Sequence, residues 1–271
     1  MEPACVLRGS SRSPPRAKYM IGALELRALE GIPEIHPGDD LASIFKAALV
    51  RHDIVLQQGD VLVIAQKIVS KAENRFLDLR SLRPSARAIE IASAIGKEPA
   101  FVEAVLSESS EVVRTAPNTL ITRHRAGYVM ANAGIDRSNV PGDEHTVLLL
   151  PKDCDASAAQ LRGRFPQPAP GIIISDSFGR PWREGVVNVA LGVAGVVALI
   201  DRRGGVDRQG RSLQVTQIAL ADAIAAAAGI VMGETTEGTP VVWIRGLGAY
   251  TCDEHGGSAP LLRPRANDLF K

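Results

Sequence analysis

The stretch GIIISDSFGRPWREG at residues 171–185 says more about the fold than any other part of the chain. Residues 171–175 are apolar almost throughout instead of alternating with polar ones, which predicts a strand buried on both faces. Asp176, Ser177, Arg180 and Arg183 follow at the strand end. An acid in that position can hold a metal ion and the phosphates that it bridges. The alternative is a turn with an ordinary ion pair between Asp176 and an arginine.

Other segments extend this pattern to a mixed α and β protein. Short apolar runs bounded by turn residues predict further strands at 60–65, 119–123, 128–132, 147–150, 193–200 and 240–245. Segments with helical period predict helices at 41–50, 85–95, 99–107, 156–163 and 216–232. The proline-rich segment 162–170 is either a subdomain boundary or a loop before the central strand, and both alternatives stay open.

Size and charge restrict the partners. A chain of 271 residues is close to the size at which one core divides, so one or two closely packed domains are expected. Lys and Arg number 31 against 30 for Asp and Glu, which provides no overall field for nucleic acid or an anionic membrane. No apolar run is long enough to cross a bilayer. We therefore expect neither a nucleic acid nor a membrane as partner.

The three cysteines, Cys5, Cys154 and Cys252, are far apart and show no C-x-x-C spacing, so neither a disulfide framework nor a zinc site is expected. A reducing compartment, the cytoplasm, fits this usage. Residues 1–20 are basic and rich in Ser and Pro without a secretory apolar segment. They are predicted to be a disordered extension, or an upstream start before Met20, with a transit peptide as the alternative.

The usual motifs of nucleotide sites, GxxxxGK[ST] and GxGxxG, are absent, as are the HExxH, GxSxG and kinase signatures. Four further polar segments lie at 31–40, 66–73, 131–139 and 232–240. Their lysines could bind phosphate, and their carboxylates and amides could bind hard cations such as magnesium or manganese. Each also has an ordinary explanation: a helix-capping loop, a solvated lysine face, an Asx turn, or a glycine helix stop.

Five motifs in one order resemble the coenzyme F420-0:L-glutamate ligases, also called gamma-glutamyl ligases. They are GIPEIHPGDDL at 31–41, VIAQKIVSKAE at 63–73, AGIDRSNV at 133–140, SDSFGRPWREG at 175–185 and MGETTEGTPVV at 232–242. The resemblance implies an α+β fold of mixed sheets with flanking helices, built as two interlocked subdomains in a homodimer. It places the ligase domain at 21–248 and a tail at 249–271, without the flavin-reductase-like domain that some relatives carry, so the stand-alone form is expected.

The same resemblance implies an amide-forming reaction: GTP-dependent addition of L-glutamate to the lactyl carboxylate of the deazaflavin precursor F420-0, then of further glutamates through gamma links. An acyl phosphate would form on the carboxylate, and the products would be the amide, GDP and phosphate. Two other readings stay open. They are a nucleotide-dependent ligase or kinase for a different carboxylate, and a GTP-binding protein without activity.

Residue by residue, the resemblance implies one divalent metal site at Asp136 and Asp176 and a second at Ser177 and Glu234, for Mg²⁺ or Mn²⁺, with K⁺ as an additional candidate. The implied guanine nucleotide contacts are Ile32, Pro33, Glu34, Ile35, Gln66, Lys71, Asn139, Met232, Gly233, Glu234, Thr235, Thr236, Glu237, Gly238 and Thr239.

Two further site predictions, Arg180 and Arg183, come from residue chemistry, and two other residues, Gln66 and Asn74, depart from the family pattern. Arg180 and Arg183 are added as catalytic candidates beside Asp136 and Asp176, because a guanidinium can clamp a phosphate or carboxylate at two points. Gln66 stands where relatives commonly carry Ser or Thr, and Asn74 replaces a Gly, which leaves the contact at Gln66 open.

Overall fold

A computed structural model describes residues 6–8, 22–252 and 256–268, the first three through their backbone alone. The main sheet has five strands in the order β10 (Arg183–Ala194), β9 (Gly171–Arg180), β3 (Val61–Ala65), β13 (Val241–Arg245) and β2 (Glu25–Ala28). Strands β3 and β9 are parallel, and the other neighbours in this sheet are antiparallel. The prediction of an α+β fold is confirmed.

The main sheet is buried on both faces, as its apolar sequences predict. One face packs on α1 (Leu41–Arg51), α2 (Gln66–Ala72) and α5 (Cys154–Gly163), and the other on α6 (Leu220–Met232). Side chains alternate along each strand, so Leu62 and Ile172 belong to the first core while Val63 and Ile173 belong to the second. Segment 162–170 connects α5 to β9, and its Phe165 lies in the first core.

A second lobe is inserted in the chain between α2 and α5 and has a core of its own. Its elements are β4 (Phe76–Asp78), α3 (Ala86–Ile95), α4 (Pro99–Glu108), β5 (Ser109–Ala116), β6 (Thr119–His124), β7 (Val129–Ala131) and β8 (Thr146–Leu148). Strands β5, β6 and β7 form one sheet, and β4 pairs with β8. Leu79, Val105, Leu120 and Val147 are buried in the core of this lobe.

A small third sheet has the order β1 (Val6–Arg8), β11 (Leu199–Asp201) and β12 (Gln217–Ala219). Strand β1 falls within the extension predicted to be disordered, and the rest of that extension lies outside the described residues. The described part of the tail, 249–252 and 256–268, contains short 3-10 turns. Cys252 is disulfide-bonded, contrary to the expectation from cysteine spacing, and Cys154 is a buried free thiol.

Two predicted elements have different bounds in the structure. The strand predicted at 193–200 is wrong, because β10 ends at Ala194 and Gly195 adopts a left-handed φ of 73° before β11 begins. The helix predicted from 216 begins at Leu220, since residues 217–219 pair with β11. No helix within the described residues is both long and apolar enough to span a bilayer.

Candidate active site

The parallel pair β3 and β9 creates the candidate site. Ala65 and Ser175 form the last pair between these two strands, so the residues that follow them emerge side by side. Gln66 and Lys67 begin α2 on one side, and Asp176 and Ser177 continue β9 on the other. A cleft of about 460 Å³ opens at this edge of the sheet.

The cleft collects residues from all five motifs quoted above. Its walls include every residue predicted for nucleotide or metal binding: Ile32, Pro33, Glu34, Ile35, Gln66, Lys71, Asp136, Asn139, Asp176, Ser177, Met232, Gly233, Glu234, Thr235, Thr236, Glu237, Gly238 and Thr239. The structure therefore brings these residues together, while their individual roles stay predictions.

Asp136 enters the cleft from the second lobe, and Lys67 and Ser138 hold its carboxylate. Lys67 Nζ lies 2.7 Å from Asp136 Oδ2 and donates to Ser138 Oγ at 2.7 Å. The backbone N–H of Ser138 donates to Asp136 Oδ1 at 2.6 Å. Burial acts to raise the pKa of Asp136, but Lys67 and the Ser138 N–H outweigh it and hold that pKa below its ordinary value. Asp136 is therefore ionised at neutral pH.

Asp176 is the electrostatically unusual group of the cleft. Burial raises the pKa of Asp176 to about 7, against the hydrogen bond that its Oδ1 accepts from the Ser177 N–H at 2.9 Å. The carboxylates of Asp136 and Glu234 raise it further. Lys67 offsets these acids only in part, and a divalent cation would supply further positive charge.

The donor set fits a cation that arrives with a nucleotide. Among the described residues, no group of three or more His, Cys, Asp or Glu side chains converges closely enough to hold a metal without other ligands. Mg²⁺ commonly takes one or two carboxylates and fills its shell with water and substrate phosphates. Asp136, Asp176, Ser177 and Glu234 provide oxygen donors of that kind on the cleft wall.

The neighbouring wall carries a buried ammonium group. The side chain of Lys71 is 7% exposed, and its Nζ pairs with Glu34, whose side chain is 61% exposed. Because Glu34 can turn into solvent, the Lys71 ammonium can pair with a phosphate instead. Gln66 is also buried, but its Oε1 accepts a hydrogen bond from Ser70 Oγ at 2.9 Å, so its carbonyl serves α2 itself.

Comparison with known proteins assigns the family. The family model described as F420-0:Gamma-glutamyl ligase matches residues 31–246. Coenzyme F420:L-glutamate ligase of Methanothermobacter thermautotrophicus is 46% identical over 252 residues, covering 92% of this chain and 99% of the relative. The proteins of that name in Methanopyrus kandleri and Natronomonas pharaonis are 45% and 43% identical, covering 84% and 92% of this chain and 90% and 95% of the relatives.

The chain belongs to the F420-0:gamma-glutamyl ligase family. Membership confirms the predicted class of an amide-forming ligase. The resemblance carried by the five motifs is confirmed as well.

Two residues predicted to be catalytic in this ligase, Arg180 and Arg183, do not line the cleft. Strand β9 continues four residues beyond Asp176, which places Arg180 about 13 Å along the strand. There Arg180 pairs with Arg183 across the hairpin and donates from Nη2 to the Glu184 carbonyl at 3.0 Å. The structure therefore does not bring these two arginines to the cleft, because residues 176–180 form a strand instead of a loop that curls around a ligand. Their catalytic role stays a prediction.

Sequence reasoning gave no role to three polar side chains that line the cleft of the ligase, namely Ser138, Ser175 and Asn188. Ser138 and Ser175 lie in the quoted motifs, whereas Lys67, which also lines the cleft, was predicted as one of the lysines that could bind phosphate. Asn188 lies on β10 and pairs with Ser177, so only knowledge of the hairpin register could have found it.

Proposed function

We propose that this ligase joins L-glutamate to coenzyme F420-0 in a GTP-dependent reaction and then adds further glutamates through gamma links. The observation that carries the proposal is the single cleft in which Asp136, Asp176 and Glu234 face Lys67 and Lys71. The names of the relatives, coenzyme F420:L-glutamate ligase, support the substrate and the amino acid. Homodimerisation and a cytoplasmic location are proposed from family membership alone.

The chemistry needs an activated carboxylate. The acceptor carboxylate attacks the γ-phosphorus of GTP, the bond to the β-γ bridging oxygen breaks, and GDP leaves. The glutamate amine then attacks the acyl carbon, phosphate departs with the C–O bond electrons, and the amine loses a proton. Both steps bring anionic groups close together, so the enzyme gains most of its rate enhancement by positioning these groups and neutralising their charge.

The residues of the chain divide this work. Bound divalent cations, Mg²⁺ or Mn²⁺ with K⁺ as a further candidate, would neutralise phosphate charge, with Asp136 and Asp176 holding one and Ser177 and Glu234 the other. Lys71 presents a buried ammonium to the phosphates, which strengthens the attraction because little water screens it. Lys67 can turn from Asp136 to a phosphate oxygen.

The loop at 232–240, which contains Glu234, provides a further part of the cleft wall. Gly233 has a φ of 76°, and the Thr235 N–H donates to Glu237 Oε2 at 2.7 Å. Thr239 Oγ1 donates to the Met232 carbonyl at 2.8 Å, which closes the loop on itself. These bonds hold the loop in one shape before the nucleotide binds, and the carboxylate of Glu237 serves the loop.

A reconstitution with purified protein tests the proposal. F420-0, L-glutamate, GTP and Mg²⁺ or Mn²⁺ are combined, products are resolved by mass, and phosphate is measured, with each component omitted in turn. We expect a glutamylated deazaflavin and phosphate only when all four are present. Absence of that product overturns the proposal. Turnover with another carboxylate acceptor would point to a related ligase or kinase, and GTP binding without turnover to a non-catalytic protein.

A further inference from the structure

A second cavity, of about 550 Å³, shares no lining residue with the cleft described above. It lies where the second lobe, the start of α5 and the C-terminal segment meet. The turn between β6 and β7 contributes His124 and Tyr128, and Cys154 begins α5. Ser258 and Leu262 of the C-terminal segment complete the wall. This volume is large enough for a small polar ligand.

His124 presents a buried donor to this cavity. It is 5% exposed, and its Nδ1 accepts a hydrogen bond from the Ala126 N–H at 3.0 Å. A neutral ring that accepts at Nδ1 carries its hydrogen on Nε2. No described residue accepts a hydrogen bond from that Nε2, and Glu108 Oε2 lies 3.8 Å away. The ring also stacks on Tyr128, and its Nε2 faces the Glu108 carboxylate, whose pKa His124 holds below its ordinary value.

Two positive side chains on the same walls also lack an ion pair within the described residues. Arg125 and Lys152 line the cavity with no such partner, whereas Arg75 is already paired with Glu108 at 3.0 Å. Arg75 also donates from Nε to the Leu150 carbonyl at 2.8 Å. The positive charge still available therefore comes from Arg125 and Lys152.

The remaining acids of the cavity are engaged by backbone groups. Asp153 Oδ1 accepts from the Ala156 N–H at 2.9 Å. Asp155 Oδ1 accepts from the N–H groups of Val193 at 2.8 Å and Ser258 at 2.9 Å. These carboxylates fasten α5, β10 and the C-terminal segment together, and the side chains that can donate to a ligand are those of His124, Arg125 and Lys152.

The cavity lies close to the cleft along strand β10. Tyr128 Oη donates to the carbonyl of Leu191. Val189 is two residues away, about 7 Å along the strand, and it pairs with Asp176 across the hairpin. The cavity and the cleft therefore lie beside neighbouring residues of the same hairpin, separated by the packed side chains of Tyr128, Cys154 and Leu191.

We propose that this cavity binds a carboxylate of a glutamyl group, held by His124 Nε2–H, Arg125 and Lys152. The identity of the ligand rests on the function proposed above, whereas the preference for a carboxylate rests on the donors themselves. The glutamyl group has two sources, free L-glutamate or a glutamate already attached to the deazaflavin acceptor. Either would bring its carboxylate to the same donors.

Two variants and one control separate the outcomes. His124→Asn removes the Nε2–H, while the Asn carbonyl can still accept from the Ala126 N–H. The double variant Arg125→Gln, Lys152→Gln removes two exposed charges and carries the test if His124→Asn does not fold. Arg114→Gln is the control, since Arg114 is an exposed cation on β5 of the same lobe that lines neither cavity. Melting curves check the fold of each variant.

Steady-state kinetics and product mass give the readout. If free glutamate binds here, the KM for L-glutamate rises about tenfold or more while the KM for GTP stays within twofold. If the attached glutamate binds here, the KM for the monoglutamylated acceptor rises instead, and products with several glutamates decline. Folded variants that match Arg114→Gln in KM for glutamate, KM for the acceptor and product length overturn the inference.

Failure of the proposed function has a different signature. In that case the wild-type protein forms no glutamylated deazaflavin, and calorimetric titration with L-glutamate and with γ-glutamylglutamate still tests the cavity. Binding that the variants weaken about tenfold supports the cavity as a carboxylate site. Absence of binding by the wild type to both ligands overturns it.

Discussion

Replacing Asp176 with asparagine should inactivate the ligase and yet stabilise the cation-free protein. Asparagine has nearly the same shape, and its carbonyl can still accept the hydrogen bond from the Ser177 N–H. It removes the negative charge that burial and the carboxylates of Asp136 and Glu234 disfavour. The variant thus separates the cost of the charge in folding from its use in the reaction.

The expected gain in stability of Asp176→Asn follows from the pKa of Asp176 in the folded protein. In the folded protein the pKa of Asp176 is about 7, against an ordinary value of 3.8. Each pKa unit corresponds to about 1.4 kcal/mol, so the ionised folded state is penalised by at most about 4 kcal/mol. Because the carboxyl group is partly accessible from the cleft, we expect about 2 kcal/mol.

The stability penalty from ionised Asp176 depends on pH. The pKa is raised on folding, so the penalty is absent below pH 3.8, grows between pH 4 and 7, and is complete above pH 7. In EDTA at pH 8, Asp176→Asn should unfold about 4 to 6 °C above the wild type, and the difference should shrink towards pH 4.

Melting with added Mg²⁺ or Mn²⁺ provides the second half of the test. A cation that binds only the folded state should raise the melting temperature of the wild type and of the control Asp222→Asn, but not that of Asp176→Asn. Asp222 suits this purpose because burial raises its pKa too, although it does not line the cleft. If Asp176→Asn melts below the wild type in EDTA at pH 8, the burial argument is wrong. An equal response to cations in all three proteins would remove Asp176 from the cation site.

Three further substitutions test other parts of the structure. Lys71→Met should weaken GTP binding about tenfold or more in calorimetry, because a buried charged donor to phosphate is lost; an unchanged Kd refutes its role. Asp60→Ala should lower the free energy of unfolding in urea by about 3 to 5 kcal/mol, since Arg245, paired at 2.8 Å, keeps a charge without its buried partner. Gly192→Ala should cost about 1 to 3 kcal/mol in the same assay, because the added Cβ would lie 2.1 Å from the Cys154 carbonyl oxygen; wild-type stability would refute that contact.

Strong local signals were sufficient for much of the fold. The helix beginning at Leu41 follows Asp40, whose side chain accepts from the Ser43 N–H, and this kind of cap can be recognised in a sequence. Helix α2 was missed because it starts directly after β3 without a side-chain cap. All of β10 except its last two residues was missed, because the polar residues at its start suggest a loop and only pairing with β9 makes the segment a strand.

The site shows the same division between local and long-range information. Motif resemblance placed nearly all of its residues, since those residues lie within short segments of sequence. The position of Arg180 and Arg183 away from the cleft and the omission of Asn188 have one cause, which is that the length and register of a hairpin depend on its partner strand. A local pattern cannot state how far a strand continues past an acid.

The candidate site also depends on the packing of two separate cores. Asp176 continues a strand of the main sheet, whereas Asp136 belongs to the second lobe, where its backbone exchanges hydrogen bonds with Leu148 at 3.0 and 2.9 Å. Lys67 lies in α2, just after strand β3 of the main sheet, and its side chain reaches Asp136 across the junction between the two lobes. In the absence of a cation, the ammonium of Lys67 therefore provides the positive charge that joins the two halves. Anions and cations that bind between the lobes must compete with that contact, so the junction and the reaction site share the same charges.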